Sequence, residues 1–418
     1  VQALTVLHTA TILAVSGFTS NCGANVVTKA LMPTYGDRTM TFVRGEGAYL
    51  FDADGRRFLD FGGGIAVTSI GHSHPVMVKA LQEQAAKVLH TSNLYLIPGQ
   101  IRAAERLCAN SFADVVFFGN SGAEANEGLI KLVRKYHAHH GHPERYRMIT
   151  IEGAFHGRTL ATIAAGGNQK HLEGFGPPVE GFDQVPFGNM NALRAAITKE
   201  TAGVLIEPIQ GEGGIRPMDL EYMREVRKVC DEFGILMAVD EVQCGIGRTG
   251  KLFAYQWSGI EPDVLSSAKG LGGGVPVGAV LATKKAAVGM VAGTHGSTYG
   301  GNPLSTAAVN AVLDVVLADG FMDHVQEISA YLREKSEELV AKHPGILKSV
   351  RGAGLMLGFV AGPPNGSVVA AAAENGLLLV PAGDNVVRML PPLTIGRAEV
   401  DEAIAILDKT AAAMAAAS

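Results

Sequence analysis

Short apolar runs alternate with amphipathic stretches through the middle of the chain. The runs lie at 115–118, 148–151, 203–207, 235–240, 264–267 and 277–283. Helical periodicity fills some of the intervals, most clearly at 123–136 and 221–233. Apolar strands that alternate with helices predict an α/β domain, with a mostly parallel sheet covered by helices on both faces.

The flanking segments predict a second, smaller lobe. Residues 42–61 alternate around turns and predict an antiparallel meander. On the other side, the pattern predicts helices at 303–317 and near 328–342, strands near 354–360 and 377–380, and a closing helix from Arg397. Polar residues of chemical interest follow several of the central strands, where ligands of such sheets bind.

The composition of the chain limits the classes of function that we expect. The 418 residues are 47% hydrophobic, and the net charge is -5. These values favour a soluble protein without general affinity for nucleic acid or anionic membranes. The 4 cysteines have neither disulfide-framework nor zinc spacing, so we expect a reduced, cytoplasmic setting.

The first 30 residues differ from the rest. Residues 4–18 are apolar, and no basic residue precedes Lys29. A secretory signal begins with basic residues, and a membrane-spanning helix needs a longer run. Three interpretations of this segment remain: a poor signal or transit peptide, a disordered extension, or upstream sequence included by a wrong start assignment. The last two are favoured because domain-like sequence begins at Met32.

Two residues at strand ends suggest amine chemistry. Lys269 follows an apolar run and precedes Gly-Leu-Gly-Gly-Gly. A lysine in a partly dry pocket has a lowered pKa and can form a Schiff base, although a solvated loop lysine is the simpler interpretation. Asp240 ends another run, where a carboxylate needs a cation or hydrogen bonds. A pyridinium nitrogen, an arginine or a lysine would serve, and Glu241 competes for the role.

A phosphate site is predicted where 120–127 follows a strand and opens a helix. Ser121 can cap this helix and leave the amides of Gly122 and Ala123 free. An ordinary helix cap is the alternative. Lys269 lies outside any Gly-x-x-x-x-Gly-Lys-Ser/Thr loop, which disfavours a nucleotide triphosphatase.

Further loops carry groups that suit a flat, charged ligand. Phe155 could stack on a ring with His156 beneath it, and Arg158 could bind a carboxylate. A core aromatic and a surface arginine are the alternatives. Gln243 could donate to a phenolate oxygen, and Glu212 lies on a glycine-rich loop.

Two further patterns resemble ligand-binding motifs, but we do not expect either of them to bind a ligand. Gly245-Ile-Gly-Arg-Thr-Gly matches the dinucleotide fingerprint, but it does not open a predicted helix. Histidines at 137, 139, 140 and 142 lack carboxylate support and predict a solvated face.

Seven ordered motifs resemble class III aminotransferases, the pyridoxal-phosphate enzymes of fold type I. They lie at 60–75, 120–127, 153–158, 207–214, 240–243, 267–274 and 295–303. Gly-Gly-Gly-Ile-Ala-Val and Asp-Glu-Val-Gln-Cys-Gly are most similar to the acetylornithine aminotransferase subfamily. The resemblance implies a large domain with a seven-stranded sheet and a smaller α+β domain built from both ends of the chain. We expect an extension at 1–30, small-domain segments at 31–75 and 306–418, and the large domain at 76–305.

The resemblance also implies roles around pyridoxal 5'-phosphate. Lys269 would bond to the cofactor and carry the proton, and Asp240 would pair with the pyridinium nitrogen. Gln243 would contact the phenolic oxygen, and Phe155 would stack on the ring. The phosphate would be bound by Ser121, Gly122 and Ala123.

Substrate contacts are implied in the same way. Thr298 would reach the phosphate from a second subunit, which makes the protein a homodimer with shared active sites. Ser297 of that subunit and Arg158 would contact acetylornithine. Arg388 would bind the α-carboxylate of glutamate or 2-oxoglutarate, and Glu212 would pair with Arg388 when an ω-amine enters.

Two further positions concern the identity of the amine substrate. Tyr35 is a further substrate-contact candidate. Ile65 stands where ornithine δ-aminotransferases carry tyrosine, which counts against free ornithine as the main substrate.

The expected reaction is ping-pong transfer of the δ-amine of N2-acetylornithine to 2-oxoglutarate. Succinylornithine, succinyldiaminopimelate, ornithine and 4-aminobutyrate remain alternative amines. A glutamate-semialdehyde aminomutase of the same fold and a noncatalytic or nucleotide-binding protein are alternatives of other classes.

Overall fold

The computed structural model describes residues 30–35 and 39–417. The strands are β1 (Phe42–Glu46), β2 (Tyr49–Asp52), β3 (Arg57–Asp60), β4 (Val115–Gly119), β5 (Arg147–Ile151), β6 (Phe182–Val185), β7 (Thr201–Ile206), β8 (Ile209–Gln210), β9 (Arg216–Pro217), β10 (Leu236–Asp240), β11 (Val264–Ser267), β12 (Gly278–Ala282), β13 (Leu347–Ala353), β14 (Met356–Ala361), β15 (Leu377–Leu378), β16 (Val380–Ala382) and β17 (Val386–Met389).

The helices are α1 (Gly63–Ala66), α2 (Pro75–Ala85), α3 (Pro98–Ala109), α4 (Gly122–His139), α5 (Leu160–Gly166), α6 (Gln169–Leu172), α7 (Met190–Ala196), α8 (Leu220–Phe233), α9 (Pro303–Val316), α10 (Phe321–Lys342), α11 (Asn365–Glu374) and α12 (Arg397–Ala416). Short 3-10 helices lie at Ala254–Trp257, Lys269–Leu271 and Ala286–Gly289.

A seven-stranded sheet in the order β4-β12-β11-β10-β7-β5-β6 confirms the predicted α/β fold. β12 runs antiparallel to β4 and β11, and the pairings among β11, β10, β7, β5 and β6 are parallel. Every residue of β10 and β11 is buried, as expected for strands covered on both faces. Asp240 pairs with Ser266 across β10 and β11. The loops that follow these two strands therefore leave the same edge of the sheet.

Several observed elements differ from the predicted ones, among them β6, α10 and the strand near 377–380. β6 was missed because Asp183 and Gln184 interrupt its apolar pattern at the sheet edge. α10 begins at Phe321 after a left-handed Gly320, well before the predicted start near 328. The strand predicted near 377–380 is two short strands, β15 and β16, which belong to different sheets.

Smaller sheets use both ends of the chain. One has the order β1-β2-β3-β15, and another has the order β13-β14-β17-β16. β3 and β15 pair in parallel, with Leu59 opposite Leu377. This pairing agrees with a smaller domain built from N- and C-terminal segments, and its bounds stay a prediction. The predicted extension at 1–30 lies outside the described residues except for Ala30.

Contact density separates Val1–Phe42 from Val43–Ser418. Within the described residues, no single helix has the length and apolar composition needed to cross a membrane. One pair, α9 and α10, meets those criteria jointly but is bent by 72°.

Candidate active site

A cavity of about 400 Å³ lies beside the loops that follow β10 and β11. Its lining includes the predicted residues Ser121, Gly122, Ala123, Phe155, Arg158, Asp240, Gln243 and Lys269. Groups that are far apart in sequence therefore meet in one pocket.

Lys269 lies in the second position after β11 and begins a short 3-10 helix. Its φ of 45° lies in the left-handed region, which is unfavourable for a residue with a side chain. Burial lowers the pKa of its amine, although the charges of Glu212 and Asp240 act in the opposite direction. No group in the described part of the chain accepts a hydrogen bond from Lys269 Nζ. A partly dry, uncommitted amine is suited to nucleophilic chemistry.

Asp240 is held by uncharged donors and a histidine. Its Oδ2 accepts from Asn126 Nδ2 at 2.7 Å and lies 2.8 Å from His156 Nδ1. Its Oδ1 accepts from the Val242 amide at 3.0 Å. Among the described residues, neither arginine nor lysine forms an ion pair with Asp240. These contacts keep the carboxylate at the cavity floor.

Glu241 faces away from this cavity. Its carboxylate accepts from the amides of Ala254 at 2.7 Å and Tyr255 at 2.6 Å. Burial raises the pKa of Glu241 to about 7, although these amides act in the opposite direction. Glu241 therefore caps a 3-10 helix, and Asp240 is the carboxylate that lines the cavity.

His156 and Glu207 share the buried floor. Burial lowers the pKa of His156, but the hydrogen bond and charge of Asp240 outweigh it, so the pKa is raised. His156 Nε2 is buried without a partner among the described residues. Burial raises the pKa of Glu207 to about 8, and its carboxyl accepts from the Phe155 amide at 3.0 Å.

The start of α4 also lines the cavity. Ser121 Oγ caps it by accepting from the Glu124 amide at 3.2 Å. In the described part of the chain, the amides of Gly122 and Ala123 have no hydrogen-bond acceptor. A Cβ on Gly122 would lie 2.7 Å from a Val242 methyl group, so the turn must be glycine to pack this closely. Free amides at the start of an 18-residue helix favour an anion.

An ion pair lies at the rim. Arg388 Nη1 donates to Glu212 Oε1 at 2.7 Å and to Gln243 Oε1 at 3.1 Å. Arg388 Nη2 donates to the Pro381 carbonyl at 3.1 Å, and its Nε is buried without a partner among the described residues. The Arg388 side chain is 1% exposed, whereas that of Glu212 is 34% exposed. Glu212 can therefore reach solvent, but Arg388 cannot.

Arg158 and Phe155 form a second part of the rim. The Arg158 guanidinium carbon lies 5.4 Å from the centre of the Phe155 ring. Arg158 is exposed, and the Phe155 ring contacts His171 edge-on with 5.9 Å between ring centres. This arrangement leaves a guanidinium available to a ligand carboxylate.

The sequence model of the class-III aminotransferases matches residues 32–411. The chain belongs to the class-III aminotransferase family. It is 58% identical to the acetylornithine aminotransferase of Mesorhizobium japonicum over 90% of this chain and 94% of that protein. The N-acetylornithine aminotransferase of Stenotrophomonas maltophilia is 37% identical, with a TM-score of 0.81 over 92% of this chain and 99% of that one. The ornithine aminotransferase of Toxoplasma gondii is 29% identical, with a TM-score of 0.88 over 92% and 93% of the two chains.

Members of this aminotransferase family use pyridoxal 5'-phosphate, and the cavity fits that cofactor. The uncommitted Lys269 Nζ and the free amides at the start of α4 match its aldehyde and its phosphate. The Asp240 carboxylate at the floor is of the kind that suits a protonated ring nitrogen. These groups together fit a pyridoxal-phosphate site. Among the described residues, no cluster of metal-binding side chains was found.

Six predicted site residues lie outside the lining of this aminotransferase cavity. Two of them, Glu212 and Arg388, form the ion pair at the rim, where Arg388 contacts the lining residue Gln243.

The other four are Ser297, Thr298, Tyr35 and Ile65. Ser297 Oγ accepts from Asn120 Nδ2 at 3.2 Å and from the Gly300 amide at 2.9 Å. Thr298 is exposed. Tyr35 belongs to the unit Val1–Phe42, where it is 81% exposed. Ile65 is 39% exposed and lies two residues before Val67, which lines the cavity.

Two floor residues were missed from the sequence. Asn126 lies one helical turn after Gly122, so both face the same end of the strands. That spacing within 120–127 was an available signal. Glu207 ends the apolar run 203–207 and is buried, so it gives the same sequence signal as Asp240, a carboxylate at the end of a buried strand.

The structure gives different results for the two patterns that were not expected to bind a ligand, the histidine cluster and the glycine-rich segment. The solvated face predicted for the histidine cluster is wrong at His137, which is buried with its Nε2 2.8 Å from the Ala202 carbonyl. The glycine-rich segment from Gly245 forms turns, as predicted, and Arg248 within it is buried and donates to the Leu355 carbonyl at 3.1 Å.

Proposed function

We propose that this aminotransferase moves the δ-amine of N2-acetylornithine to 2-oxoglutarate. The products are N-acetylglutamate 5-semialdehyde and glutamate, which places the reaction in arginine biosynthesis. The ion pair between Glu212 and Arg388 carries the proposal. One pocket must bind a second carboxylate in one half-reaction and exclude it in the other, and a pair that can open meets that need. The name of the Mesorhizobium relative supports the choice of amine.

Pyridoxal phosphate supplies an electron sink for the substrate carbon. Lys269 would hold it covalently, and Asp240 would keep its ring nitrogen protonated. Phe155 would pack on the ring, and Gln243 would donate to the phenolic oxygen. The phosphate would be bound by Ser121, Gly122 and Ala123.

Lys269 would also move the proton between the substrate carbon and the cofactor. Because burial lowers the pKa of this amine, its neutral form is more accessible near neutral pH, and a neutral amine can accept a proton. The floor around it is largely buried, which keeps water from competing for the same proton.

Arg158 would bind the α-carboxylate of acetylornithine, and Arg388 would bind that of glutamate or 2-oxoglutarate. With acetylornithine bound, Glu212 keeps Arg388 neutralised, so no second carboxylate is needed. With 2-oxoglutarate, the partly exposed Glu212 moves away and the substrate takes its place.

We also propose a homodimer in which Thr298 and Ser297 complete the partner's site. Exposed apolar side chains support this assembly: Leu94 is 85%, Leu96 is 86% and Tyr299 is 62% exposed. The Tyr299 ring lies 5.2 Å from that of His90, which joins the two segments into one surface. A patch of this kind marks an interface. We place the enzyme in the cytoplasm and retain the predicted domain bounds.

Subunit mixing tests the shared site. Lys269→Ala and Thr298→Asp are each expected to inactivate both sites of a homodimer. Refolding the two variants together should restore part of the activity, since half of the sites in a hybrid dimer carry neither change. If mixing restores nothing although hybrid dimers form, Thr298 acts within its own subunit.

A panel of ω-amines, compared by kcat/KM with 2-oxoglutarate as acceptor, tests the substrate. Acetylornithine should exceed ornithine and 4-aminobutyrate by at least about tenfold, since pocket contacts of a few atoms discriminate by that order. A higher value for succinylornithine or another amine would replace the proposed substrate. Conversion of glutamate semialdehyde without an oxo-acid would instead identify an aminomutase.

A further inference from the structure

α1 is a left-handed turn in the segment before the cavity wall. The φ angles are 52° at Gly63, 60° at Gly64, 65° at Ile65 and 62° at Ala66. Glycine adopts such angles readily, but Ala66 and the β-branched Ile65 do so only at a cost. Strain of this kind persists where the surroundings hold it, and it is concentrated at functional sites.

Asp60 holds the start of this left-handed turn. It is 3% exposed, and its Oδ1 accepts from the amides of Gly62 at 3.0 Å and Gly63 at 2.9 Å. Its Oδ2 lies 2.8 Å from His72 Nε2. His72 is fixed in turn, because its backbone exchanges hydrogen bonds of 2.8 Å and 2.9 Å with Gly47. The backbone amides are thus bound by a carboxylate whose own orientation is set by His72.

The left-handed turn also touches the catalytic loops. A Cβ on Gly63 would lie 2.5 Å from the Leu390 carbonyl, two residues after Arg388. Beyond the turn, Ser69 Oγ donates to the carbonyl of Gly270 at 2.8 Å, directly after Lys269. Val67, between these contacts, lines the cavity. The turn therefore lies between the lysine loop and the strand that carries Arg388.

We propose that Asp60 and His72 form a positioning pair that fixes Ile65 and, two residues later, the cavity-lining Val67, and so selects the acylated amine over the free amine. The inference rests on the proposed function. Neither residue lines the cavity among the described residues, so the pair acts through the turn. Val67 follows directly on this strained backbone, so its position in the wall depends on the hold of Asp60 on the turn. A displacement near 1 Å can change rates by about 100-fold.

The first test compares three histidine variants of the cofactor-loaded enzyme. His72→Ala should raise KM for acetylornithine about tenfold, change kcat by less than about threefold, and reduce the preference over ornithine about tenfold. His72→Gln should stay closer to wild type, since its amide can still donate to Asp60. His74→Ala is the matched control, because His74 only accepts from the Val76 amide at the start of α2.

The second test removes the strain. Glycine at position 66 takes the left-handed angle without cost, so Ala66→Gly should restore much of the substrate preference lost in His72→Ala. Hydrogen exchange gives a readout that is independent of activity. Amides of residues 61–68 should exchange faster in His72→Ala and recover in the double variant.

Several outcomes would overturn the pair's role. They are an equal loss of kcat with every amine, lowered thermal stability with unchanged KM, unchanged exchange in the turn, or absence of rescue by Ala66→Gly. Should His72→Ala fail to fold, the same measurements on Asp60→Asn and His72→Gln decide the question. If wild type prefers another amine but the exchange and rescue results hold, the proposed substrate fails and the positioning pair stands.

Discussion

The floor and the rim of the cavity both depend on carboxylates, but they hold them differently. At the floor, Asp240 is 3% exposed and has three hydrogen-bonding partners. At the rim, Glu212 is 34% exposed and its carboxylate pairs with Arg388. A fixed charge suits the cofactor, which is the same in both half-reactions. An exchangeable charge suits a pocket that must bind two kinds of substrate in turn.

The energetic difference follows from burial. Removing a partner from a buried charge leaves an unpaired group that cannot reach water, which costs several kcal/mol. The Glu212 carboxylate regains water when it leaves Arg388, so most of the cost of opening the rim falls on Arg388. A substrate carboxylate that binds to Arg388 can offset that cost. Floor variants should therefore damage both half-reactions, and rim variants should separate them.

The largest expected effect is that of Lys269→Ala. Both half-reactions should slow at least about 10³-fold, because the covalent attachment and the proton carrier are lost together. The visible absorbance of lysine-bound cofactor should disappear, and circular dichroism should remain that of a folded protein. Retention of activity or of the absorbance band in cofactor-saturated Lys269→Ala would contradict the assignment of the floor.

Asp240→Ala should follow, with losses of about 10²–10³-fold in both half-reactions even when cofactor is saturating. Single-turnover kinetics with acetylornithine and with glutamate would measure them. Glu232→Ala is the control, since Glu232 forms a surface ion pair with Arg194 at 2.9 Å. A loss confined to one half-reaction would remove the distinction between floor and rim.

Arg388→Ala should separate the half-reactions. The glutamate half-reaction should lose about 10- to 100-fold more than the acetylornithine half-reaction, since only glutamate needs the freed guanidinium. Arg351→Ala is a matched control, because Arg351 forms a surface pair with Asp384 at 3.1 Å. Equal losses would show that Arg388 serves structure and not substrate choice.

The smallest expected effect is the change in thermal stability with pH that Glu207 causes. Because burial raises its pKa to about 8, the folded apoprotein keeps a proton that the unfolded chain releases above its ordinary pKa of 4.5. Stability from this group is therefore present below pH 4.5 and is lost as pH rises towards 8. Glu207→Gln cannot titrate, so its Tm relative to wild type should rise by about 2 °C or more between pH 5 and pH 8. Parallel Tm profiles would place a carboxylate, and not a carboxylic acid, at the floor.

Sequence patterns predicted the floor better than the rim. Strand ends and helix starts leave local signals, so Asp240, Lys269 and Ser121 could be placed in one pocket from spacing alone. The contact between Glu212 and Arg388 joins positions 176 residues apart, and periodicity carries no information on such pairs. The resemblance to a family was needed to suggest it.

The smaller sheets were harder to predict for a related reason. β15 and β16 have two and three residues, and each joins a different sheet. Strands this short have little pattern of their own, and their pairing is decided by distant segments. The left-handed turn at Gly63–Ala66 was also unpredictable, because an isoleucine gives no sign of a positive φ.

The left-handed backbone of Lys269 has a consequence for the evolution of this chain. At a φ of 45°, glycine would relieve the strain that any other side chain imposes. An inactive chain with glycine there should unfold at a higher temperature than one with alanine. Replacement of the lysine by glycine would thus increase the stability of the fold while it removes the reactive amine. Only selection for enzymatic turnover therefore keeps the lysine at this position.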